Sequence, residues 1–276
     1  MKDTKIHSTA VISKEAKIGK DVEIGPFTVL EGPVTIGEGT HIATHCLIKG
    51  NTTIGKNCRI FSGAILGSSP QDLKYKGEKN YLIIGDNNTI REYTTFNPGT
   101  KEEGKTVIGN NNLFMAYSHV AHDCLVGDHC VIANGGTLAG HVTVGDRALI
   151  SGLVAVHQFV RVGRLSIVGG CSKVVQDIPP FSTCDGHPAR IYGLNLIGLK
   201  RNNYSRDSIN KLKHAFAVLF FSGLTIRHGL SKLLEENETN PDVVFLCEFL
   251  KNPSRTISRS VRSPKRDVLN EPLESA

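Results

Sequence analysis

The sequence predicts a mainly β protein, namely a parallel β-helix of hexapeptide repeats followed by a small C-terminal α-helical domain. Two features of the repeat predict the β-helix. An aliphatic residue recurs at every sixth position over most of the chain from Ile6 to Val174, and glycine often follows it. The composition agrees, because 28 Gly and no Trp among 276 residues suit a repetitive β structure with many tight turns.

The six-residue period covers most of the N-terminal two thirds of the chain. It runs unbroken from Ile6 to Leu66, resumes at Ile84 and again at Ile108, and continues to Val174. Internal repetition of this length decides the fold, because each repeat can bury its apolar residue only by stacking on its neighbours.

The residue two places before each aliphatic position is usually small. Positions two apart on a strand face the same way, so both side chains are expected to point inward. Three such repeats close one triangular coil of eighteen residues, and coils stack at about 4.8 Å. Four cysteines occupy the small inward position and are expected to be core packing: Cys46, Cys58, Cys124 and Cys130.

Interruptions of the period predict the domain boundaries. The β-helix is expected to span 1–189, with polar loops inserted at 67–81 and 97–106. Apolar residues at helical spacing predict a helical domain at 190–253. The charged and proline-containing segment 254–276 is expected to be a flexible tail.

Composition and charge restrict the compartment and the partners. There is no N-terminal apolar segment and no run of eighteen apolar residues, so neither a signal peptide nor membrane insertion is expected. Seven cysteines without a CxxC motif favour a reducing cytoplasm. The net charge is +6, and residues 190–276 hold 14 Lys and Arg against nine Asp and Glu. This bias indicates either an acidic partner or solvated helix faces, and nucleic-acid binding is not expected.

The eighteen-residue coil stacks several polar residues at one edge. His122, Gly140 and Gln158 should form one column, with Asp123 and His141 in the next. A histidine beside a carboxylate can act as a general base, and a glycine leaves space and an N–H for an oxyanion. Surface histidines at coil corners are the structural alternative, but three stacked groups favour a site.

Two other chemistries are possible for this part of the sequence. A zinc site would need histidine ligands from neighbouring coils, but His119 and His122 are only three residues apart and no third histidine falls in their columns. We therefore expect no metal. Cys124 faces inward, so it is not expected to be a nucleophile. Direct attack by a substrate hydroxyl or amine that His122 deprotonates is the simpler expectation.

Several stretches together resemble one family. The sequences "HVAHDCLVGDHCVIANGGTLAGHV", "AVHQFVRVG", "PQDLKY", "IRE" and "GLKR" are similar to the UDP-N-acetylglucosamine O-acyltransferases of lipid A biosynthesis, and the likeness runs from about residue 3 to about residue 250. The resemblance implies a left-handed β-helix and a homotrimer with active sites between subunits. It implies transfer of an (R)-3-hydroxyacyl group from acyl carrier protein to the sugar 3-hydroxyl. No cofactor is implied beyond the phosphopantetheine that the carrier brings.

The resemblance also implies roles for individual residues. His122 would be the general base, Asp123 its orienting partner and Gly140 the source of the oxyanion-hole N–H. Gly170 matches the position that limits acyl length, and its missing side chain implies a long chain. Substrate contacts are implied for Gln71, Asp72, Lys74, His119, His141, His157, Gln158, Asn195, Lys200 and Arg201.

These implied contacts fall into groups. Asp72 and Lys74 would meet the acyl 3-hydroxyl and the sugar, with Gln71 beside them, and the three histidines would position the sugar and acyl groups. Gln158 would contact the phosphate region and Asn195 the nucleotide, while the Lys–Arg pair would meet phosphates. The chain departs from the family pattern at Asn97, Ile197 and Asn202.

Two rival functions remain open on the sequence. A related N-acyltransferase acting on a glucosamine derivative shares the β-helix and the histidine, but it normally carries a separate N-terminal domain, whereas the repeat here begins at Ile6. A non-catalytic β-helix scaffold is the rival from another class, although a scaffold would not need stacked polar groups beside two polar loops.

Overall fold

The structure is a computed structural model that describes residues 4–236 and 239–260. Most of the chain forms short strands that recur with the six-residue period. In chain order, the strands β1 to β28 are Lys5–Ile6, Val11–Ile12, Lys17–Ile18, Glu23–Ile24, Val29–Glu31, Thr35–Ile36, His41–Ile42, Leu47–Lys49, Asn51–Ile54, Arg59–Ile60, Ile65–Leu66, Asn80–Ile84, Thr89–Ile90, Thr95–Phe96, Gly104–Ile108, Leu113–Phe114, His119–Val120, Leu125–Val126, Val131–Ile132, Thr137–Leu138, Thr143–Val144, Leu149–Ile150, Ala155–Val156, Arg161–Val162, Ile167–Val168, Lys173–Val174, Ser182–Gly186 and Ala189–Leu194.

The strands form three long sheets, which are the faces of a triangular prism. The first sheet begins with β1, β4 and β7, the second with β2, β5 and β8, and the third with β3, β6 and β9. The chain visits the three sheets in turn, so each coil adds one parallel strand to each sheet. We name the corners by the sheets they join in chain order: corner 1–2, corner 2–3 and corner 3–1. Within the described residues, only the terminal hairpin of β27 and β28 pairs antiparallel.

The register fixes which side chains stack. His119 pairs with Thr137, and Thr137 pairs with Ala155, so each coil repeats the position of the one before it with the offset that the sequence period predicts. Two coils are longer, because Ile65 pairs with Thr95 and Thr95 with His119. The extra residues of both coils lie at corner 2–3.

The two insertions are the segments 67–79 and 97–103, which join second-sheet strands to third-sheet strands. The first insertion ends two residues earlier than the sequence predicts, and the second ends three residues earlier. The strands that follow them, β12 and β15, are five residues long and pair over their whole length. The backbone pairing of these long strands therefore takes over the last residues of each predicted loop.

The interior of the prism is aliphatic and tightly packed. Ile or Val side chains of successive coils lie at exposures near zero, and Phe96 and Phe114 stack edge to face with ring centroids 4.7 Å apart. Each fully buried side chain of this size contributes about 1.5–3 kcal/mol relative to an exposed one. The four cysteines predicted to pack inward are buried and unpaired, which confirms that expectation.

The C-terminal part is helical. Helices α1 to α4 are Leu196–Arg201, Arg206–Phe216, Ile226–Glu235 and Pro241–Lys251, and a π-helical turn at Ala217–Phe221 extends α2. Each α-helix follows an Asn, Ser or Thr whose side chain accepts a hydrogen bond from the first turn. The helices begin six residues after the predicted boundary at 190, because β28 first completes the terminal hairpin of the sheet. None of the helices in the described residues is long and apolar enough to cross a membrane.

Two arginines attach the helices to the end of the prism. Arg164 donates to the Asp242 carboxylate at 2.7 Å and lies 3.9 Å from the centre of the Phe245 ring. Arg161 donates to the backbone carbonyl of Phe249 and stacks on that ring. These planar cations over aromatic faces fix α4 against corner 3–1 and the third sheet.

Residues 254–260 form a strap across the end of the β-helix. Asp177 donates its backbone N–H to Thr256 O and accepts at its own carbonyl from Ser258 N, while Ile191 N donates to Arg259 O. Ser258 is buried, and its hydroxyl donates to Ala189 O. The sequence predicts a flexible tail from 254, and the structure differs for these seven residues because buried backbone and side-chain groups of the prism pair with them. The rest of that prediction, 261–276, lies outside the described residues.

Candidate active site

The His122 side chain lies at corner 2–3, held between a carboxylate and a glycine. Its Nδ1 is 2.9 Å from Asp123 Oδ2, and both side chains are only 13% exposed. A Cβ built on Gly140 would lie 2.4 Å from His122 Cε1 and 2.6 Å from Nε2. The imidazole therefore packs on the Gly140 backbone, and a larger residue at that position would displace the ring.

The second insertion holds the Asp123 carboxylate. Thr100 donates from its hydroxyl at 2.7 Å and from its backbone N–H at 3.2 Å. Burial opposes ionisation of Asp123, but the hydrogen bonds from Thr100 and His122 outweigh it and lower the pKa of the carboxyl. Asp123 N donates to Thr106 Oγ1 at 2.8 Å, which ties the backbone of the corner to β15. The carboxylate is thus ionised and fixed beside the imidazole.

The second column at this corner consists of three stacked side chains. His141 Nε2 lies 3.7 Å from Asp123 Oδ2, and the His141 ring stacks on Phe159 with centroids 4.6 Å apart. The residues Asp123, His141 and Phe159 all have positive φ near 60°, so one corner geometry repeats in three coils. Desolvation is the main cause that lowers the pKa of His141, with a smaller contribution from His122.

His119 lies one strand position before the corner. Its Nδ1 is 2.7 Å from the hydroxyl of Thr95 in the coil below. Burial lowers the pKa of His119, and the nearby His122 lowers it further. His119 is therefore neutral at neutral pH and offers Nε2 for a hydrogen bond.

The cluster also has the donor set of a metal site. Single ligand atoms of His122, Asp123 and His141 lie within 4.8 Å of one another. Asp123 Oδ2 already accepts hydrogen bonds from Thr100 Oγ1 and His122 Nδ1. A metal at Oδ2, the carboxylate oxygen nearest both histidines, would have to displace both donors, so the contacts at this oxygen fit a hydrogen-bonded base better than a metal centre.

Cys124 follows the cluster in sequence but faces the other way. Its thiol is fully buried, and desolvation raises the pKa of the thiol to about 12. Its Sγ donates to the carbonyl of Ala139 at 3.1 Å. A thiol that stays protonated in the core cannot be the nucleophile, which confirms the expectation from the alternation of the strand.

The two insertions are bound to each other beside the cluster. Asn97 donates from Nδ2 to the carbonyls of Ser68 and Ser69, at the start of the first insertion. Lys79 forms an ion pair with Glu103 at 3.0 Å, at the ends of the two insertions. The insertions therefore form one wall along corner 2–3.

The chain matches known proteins over almost its whole length. The family model described as "Udp N-acetylglucosamine O-acyltransferase; Domain 2" matches residues 177–258, and the bacterial transferase hexapeptide model matches 15–50 and 105–140. An acyl-[acyl-carrier-protein]–UDP-N-acetylglucosamine O-acyltransferase of Aliarcobacter butzleri is 53% identical over 253 residues, which cover 91% of this chain and 97% of that protein. The chain belongs to the UDP-N-acetylglucosamine O-acyltransferase family.

Solved structures of this family have the same fold. A Francisella novicida UDP-N-acetylglucosamine acyltransferase matches with a TM-score of 0.91 at 38% identity, covering 98% of this chain and all of that one (100%). A Bacteroides fragilis enzyme of the same description matches with a TM-score of 0.90 at 40% identity, covering 92% and 99%. The predicted left-handed parallel β-helix with a helical C-terminal domain, and the predicted family, are confirmed.

The residues predicted from the family resemblance do not all meet at one corner of this chain. Corner 2–3 holds the three predicted catalytic residues and borders the first insertion, where Asp72 and Lys74 lie. Lys74 N donates to Asp72 Oδ1 at 2.9 Å, and Gln71 is exposed beside them. Asp72 lies close enough to His141 to influence its ionisation. The first insertion therefore lies beside the cluster, and the predicted substrate contacts of these three residues stay predictions.

His157 and Gln158 lie at the same corner, one coil above Gly140, and both are exposed. Arg255 of the strap reaches them: its Nη1 is 3.1 Å from His157 Nδ1 and donates to Gln158 O at 3.1 Å. Sequence reasoning missed Arg255, because the residue lies in a segment that the composition predicts to be flexible.

Four predicted residues lie at the other corners. Gly170 is exposed at corner 1–2, where a Cβ would find its nearest neighbour 3.5 Å away. Asn195 caps α1 through Oδ1 and donates from Nδ2 to Leu165 O at corner 3–1. Lys200 and Arg201 are exposed in the last turn of α1. Within one chain these residues are separated from His122 by whole faces of the prism.

Sequence reasoning also missed three partners of the cluster: Thr95 of His119, Phe159 of His141 and Thr100 of Asp123. Thr95 and Phe159 could have been found from the register, because Thr95 pairs with His119 and Phe159 is two full coils above Asp123. Thr100 could not, because an insertion has no period to place its side chains.

Proposed function

We propose that this protein transfers an acyl group from acyl carrier protein to a hydroxyl of UDP-N-acetylglucosamine. The curated relatives carry this activity in their names, at identities of 53% and 51% for two of them. The observation that carries the proposal is the imidazole of His122, fixed by Asp123 beside a bare glycine at a corner walled by two insertions. We take the transferred group to be an (R)-3-hydroxyacyl chain and the acceptor to be the sugar 3-hydroxyl, as the family resemblance implies.

His122 acts as the general base in this proposal. The Asp123 carboxylate holds the proton on Nδ1, so Nε2 is free to accept the proton of the sugar hydroxyl. The hydroxyl oxygen attacks the thioester carbonyl carbon, forming the new C–O bond. The C–S bond then breaks, and the proton passes from His122 to the departing thiolate of the carrier.

The Gly140 N–H stabilises the oxyanion of that step. In the part of the chain that the structure describes, this N–H has no hydrogen-bond acceptor, although the residue is buried. A fixed backbone donor beside the base, in a site partly closed to water, stabilises charge on the thioester oxygen as it develops.

We propose that the reaction needs no metal and no cofactor besides the carrier's phosphopantetheine. The support is the hydrogen bonding of Asp123, whose Oδ2 accepts from Thr100 and His122. A chelator-treated preparation, freed of metal and checked by elemental analysis, should keep its activity. Loss of activity that zinc restores would contradict this part of the proposal.

A homotrimer would join residues that one chain holds apart. His122 lies at corner 2–3, whereas Asn195 and Arg201 lie at or beyond corner 3–1 and Gly170 lies at corner 1–2. If a neighbouring copy packs its corners against corner 2–3, nucleotide, base and acyl-length position can line one cleft. We propose such intersubunit sites, with Asn195 contacting the nucleotide and Lys200 and Arg201 contacting phosphates.

The remaining predicted residues are proposed to position the substrates. His119 and His141, both with lowered pKa values, are neutral hydrogen-bonding groups around the sugar and acyl group. Asp72 and Lys74, with Gln71, would meet the acyl 3-hydroxyl and the sugar from the first insertion. His157 and Gln158 would meet the upper end of the sugar nucleotide near its phosphates.

We place the reaction in the cytoplasm. The support is that the seven cysteines are all unpaired, and that six of them are buried without a partner that could form a disulfide. The basic C-terminal third is proposed to bind the acidic acyl carrier protein.

The test is turnover of UDP-N-acetylglucosamine with a series of 3-hydroxyacyl carriers, read by product mass. We expect a 3-O-acylated sugar nucleotide, and we expect His122→Ala to lower kcat by at least about a hundredfold with an unchanged melting temperature. His129→Ala is the matched control, because His129 is an exposed corner histidine at corner 3–1. Wild-type rates in His122→Ala would refute the base assignment, and an N-acylated product would favour the rival enzyme.

A further inference from the structure

The strap of residues 254–260 holds Arg255 rigidly on both sides. Ser254 N donates to the buried Asp177 carboxylate at 2.9 Å, and the Gln176 side chain donates to Thr256 Oγ1 at 2.8 Å. Asp177 N also donates to Thr256 O at 3.0 Å. The backbone of Arg255 is therefore fixed before its side chain makes any contact.

Asp177 is itself fixed. Its side chain is fully buried and accepts from the backbone N–H of Arg161 and from Arg161 Nε, both at 2.9 Å. The carboxylate thus bridges strand β24 and the strap. A buried, fully paired ionic group of this kind specifies position, because removing any partner leaves a charge unsatisfied.

From this anchored position, Arg255 reaches the predicted substrate corner. One nitrogen, Nη1, is 3.1 Å from both His157 Nδ1 and Gln158 O. Arg255 also lines a cavity of about 420 Å³ together with Phe159, which stacks on His141. The strap therefore joins the upper end of the column that begins at the catalytic histidine.

The contact decides which nitrogen of His157 carries the proton. A guanidinium has only N–H donors and stays charged, so a nitrogen facing Nη1 must be an acceptor. The charge of the guanidinium therefore favours a bare Nδ1 on His157, with the ring proton on Nε2. In the competing arrangement, Nδ1–H would donate to Gln158 O, which also lies 3.1 Å away, but this would place a partly positive N–H 3.1 Å from the guanidinium cation and put two donors on one carbonyl oxygen.

We propose that Arg255 is a positioning residue for His157: it fixes the imidazole as the Nε2–H tautomer, so that this ring donates a hydrogen bond to the sugar nucleotide. This inference rests on the proposed function, which gives His157 its role toward substrate. Arg255 acts through His157 and does not itself touch the reacting atoms.

The test compares Arg255→Met with Arg259→Met. Methionine keeps much of the aliphatic stem and removes every N–H donor. Arg259 is an exposed arginine of the same strap whose backbone carbonyl, rather than its side chain, makes the contact to the prism. Arg259→Met therefore removes the same charge from the basic C-terminal third without touching His157, and kcat/KM for the sugar nucleotide is compared at saturating acyl carrier protein, where an effect of either charge on carrier binding does not enter.

We expect Arg255→Met to lower kcat/KM for the sugar nucleotide about tenfold, the effect of one charge-assisted hydrogen bond, and Arg259→Met to stay within about twofold. In spectra of protein with ¹⁵N-labelled histidine, His157 should lose its Nε2–H tautomer only in Arg255→Met. In a His157→Ala background, Arg255→Met should have no further effect. The acid limb of the kcat–pH profile should be unchanged in Arg255→Met, since the base is intact.

Two results would overturn the inference: a His157 tautomer that is the same in wild type and Arg255→Met, or an equal tenfold loss when Arg255→Met is added to His157→Ala. The failure of the proposed function looks different. In that case the wild type itself would give no 3-O-acylated sugar nucleotide, or His157→Ala would give it at the wild-type rate, whereas the NMR comparison would still report whether Arg255 sets the tautomer.

Discussion

Gly140 shows how much a single residue decides at this site. Its lack of a side chain lets the His122 ring lie on the backbone, and its N–H is the donor that we assign to the oxyanion. The register of the coils aligns the two residues, but only a residue without a Cβ permits this packing, because a Cβ on Gly140 would lie 2.4–2.6 Å from ring atoms of His122. The requirement for glycine is therefore steric.

Gly140→Ala should lower kcat by at least about a hundredfold while the fold persists, because the added methyl group would push the imidazole away from Asp123 and from the substrate. Gly152→Ala is the matched control. Gly152 occupies the equivalent position at corner 1–2, where a Cβ would have its nearest contact at 3.5 Å. Steady-state kinetics and thermal melting measure both effects. An active Gly140→Ala enzyme would show that the imidazole does not need its observed position.

The ionisation of single residues also follows from local surroundings. Asp123 is buried yet has a lowered pKa, since Thr100 and His122 donate to it. His119 and His141 have pKa values lowered by burial. The three groups around His122 are thus in two states: Asp123 is ionised, and His119 and His141 are neutral.

At the scale of elements, the second insertion belongs to the proposed catalytic site. The segment 97–103 closes over corner 2–3 and supplies both Thr100 donors to Asp123, and Asn97 links it to the first insertion. The repeat pattern identifies this segment only as an interruption, but the segment fixes Asp123, the residue that we propose to orient the base.

Thr100→Val should reduce kcat about tenfold, because the carboxylate of Asp123 loses its shortest hydrogen bond while keeping the backbone N–H. Thr100→Ser keeps the hydroxyl and should stay close to the wild-type rate. Initial-rate kinetics with saturating substrates distinguish the two variants. Equal rates for Val, Ser and wild type would mean that the insertion covers the site without orienting Asp123.

The strap is the second element whose role depends on tertiary contacts. Its composition is that of a solvated tail, but Asp177 is buried at the end of the prism and pairs with the strap backbone. Burial of a carboxylate is costly unless its oxygens accept hydrogen bonds. The hydrogen bonds of Asp177 to the strap thus hold residues 254–260 in place and bring Arg255 to the predicted substrate corner.

At the scale of the whole molecule, the proposed site is incomplete in one chain. The proposed base and Gln158 lie at corner 2–3, whereas Asn195, which is proposed to contact the nucleotide, lies at corner 3–1, at the start of the helix that carries Lys200 and Arg201. A threefold assembly would present the corner of one copy to the corner of the next, which is a closed heterologous arrangement. Catalysis would then require association.

Mixed trimers test this arrangement. His122→Ala and the double variant Lys200→Ala/Arg201→Ala should each be at least about a hundredfold less active alone. After the two are mixed by co-expression, about a quarter of the interfaces would combine an intact base with an intact phosphate-binding helix, so about a quarter of the wild-type rate should return. A mixture no more active than its components would place the whole site within one chain.

The six-residue period by itself determined the prism, its aliphatic core and the alignment of His122, Gly140 and Gln158. That information is local and repeated. Each regular coil has eighteen residues, so residues eighteen apart stack on each other independently of the rest of the chain. Only the tertiary structure decided that Thr100 holds Asp123, that the strap carries Arg255 to His157, and that Asn195 lies at a different corner from the base. Insertions, helices and the strap have no period. Their positions depend on hydrogen bonds and ion pairs to polar groups that are distant in sequence.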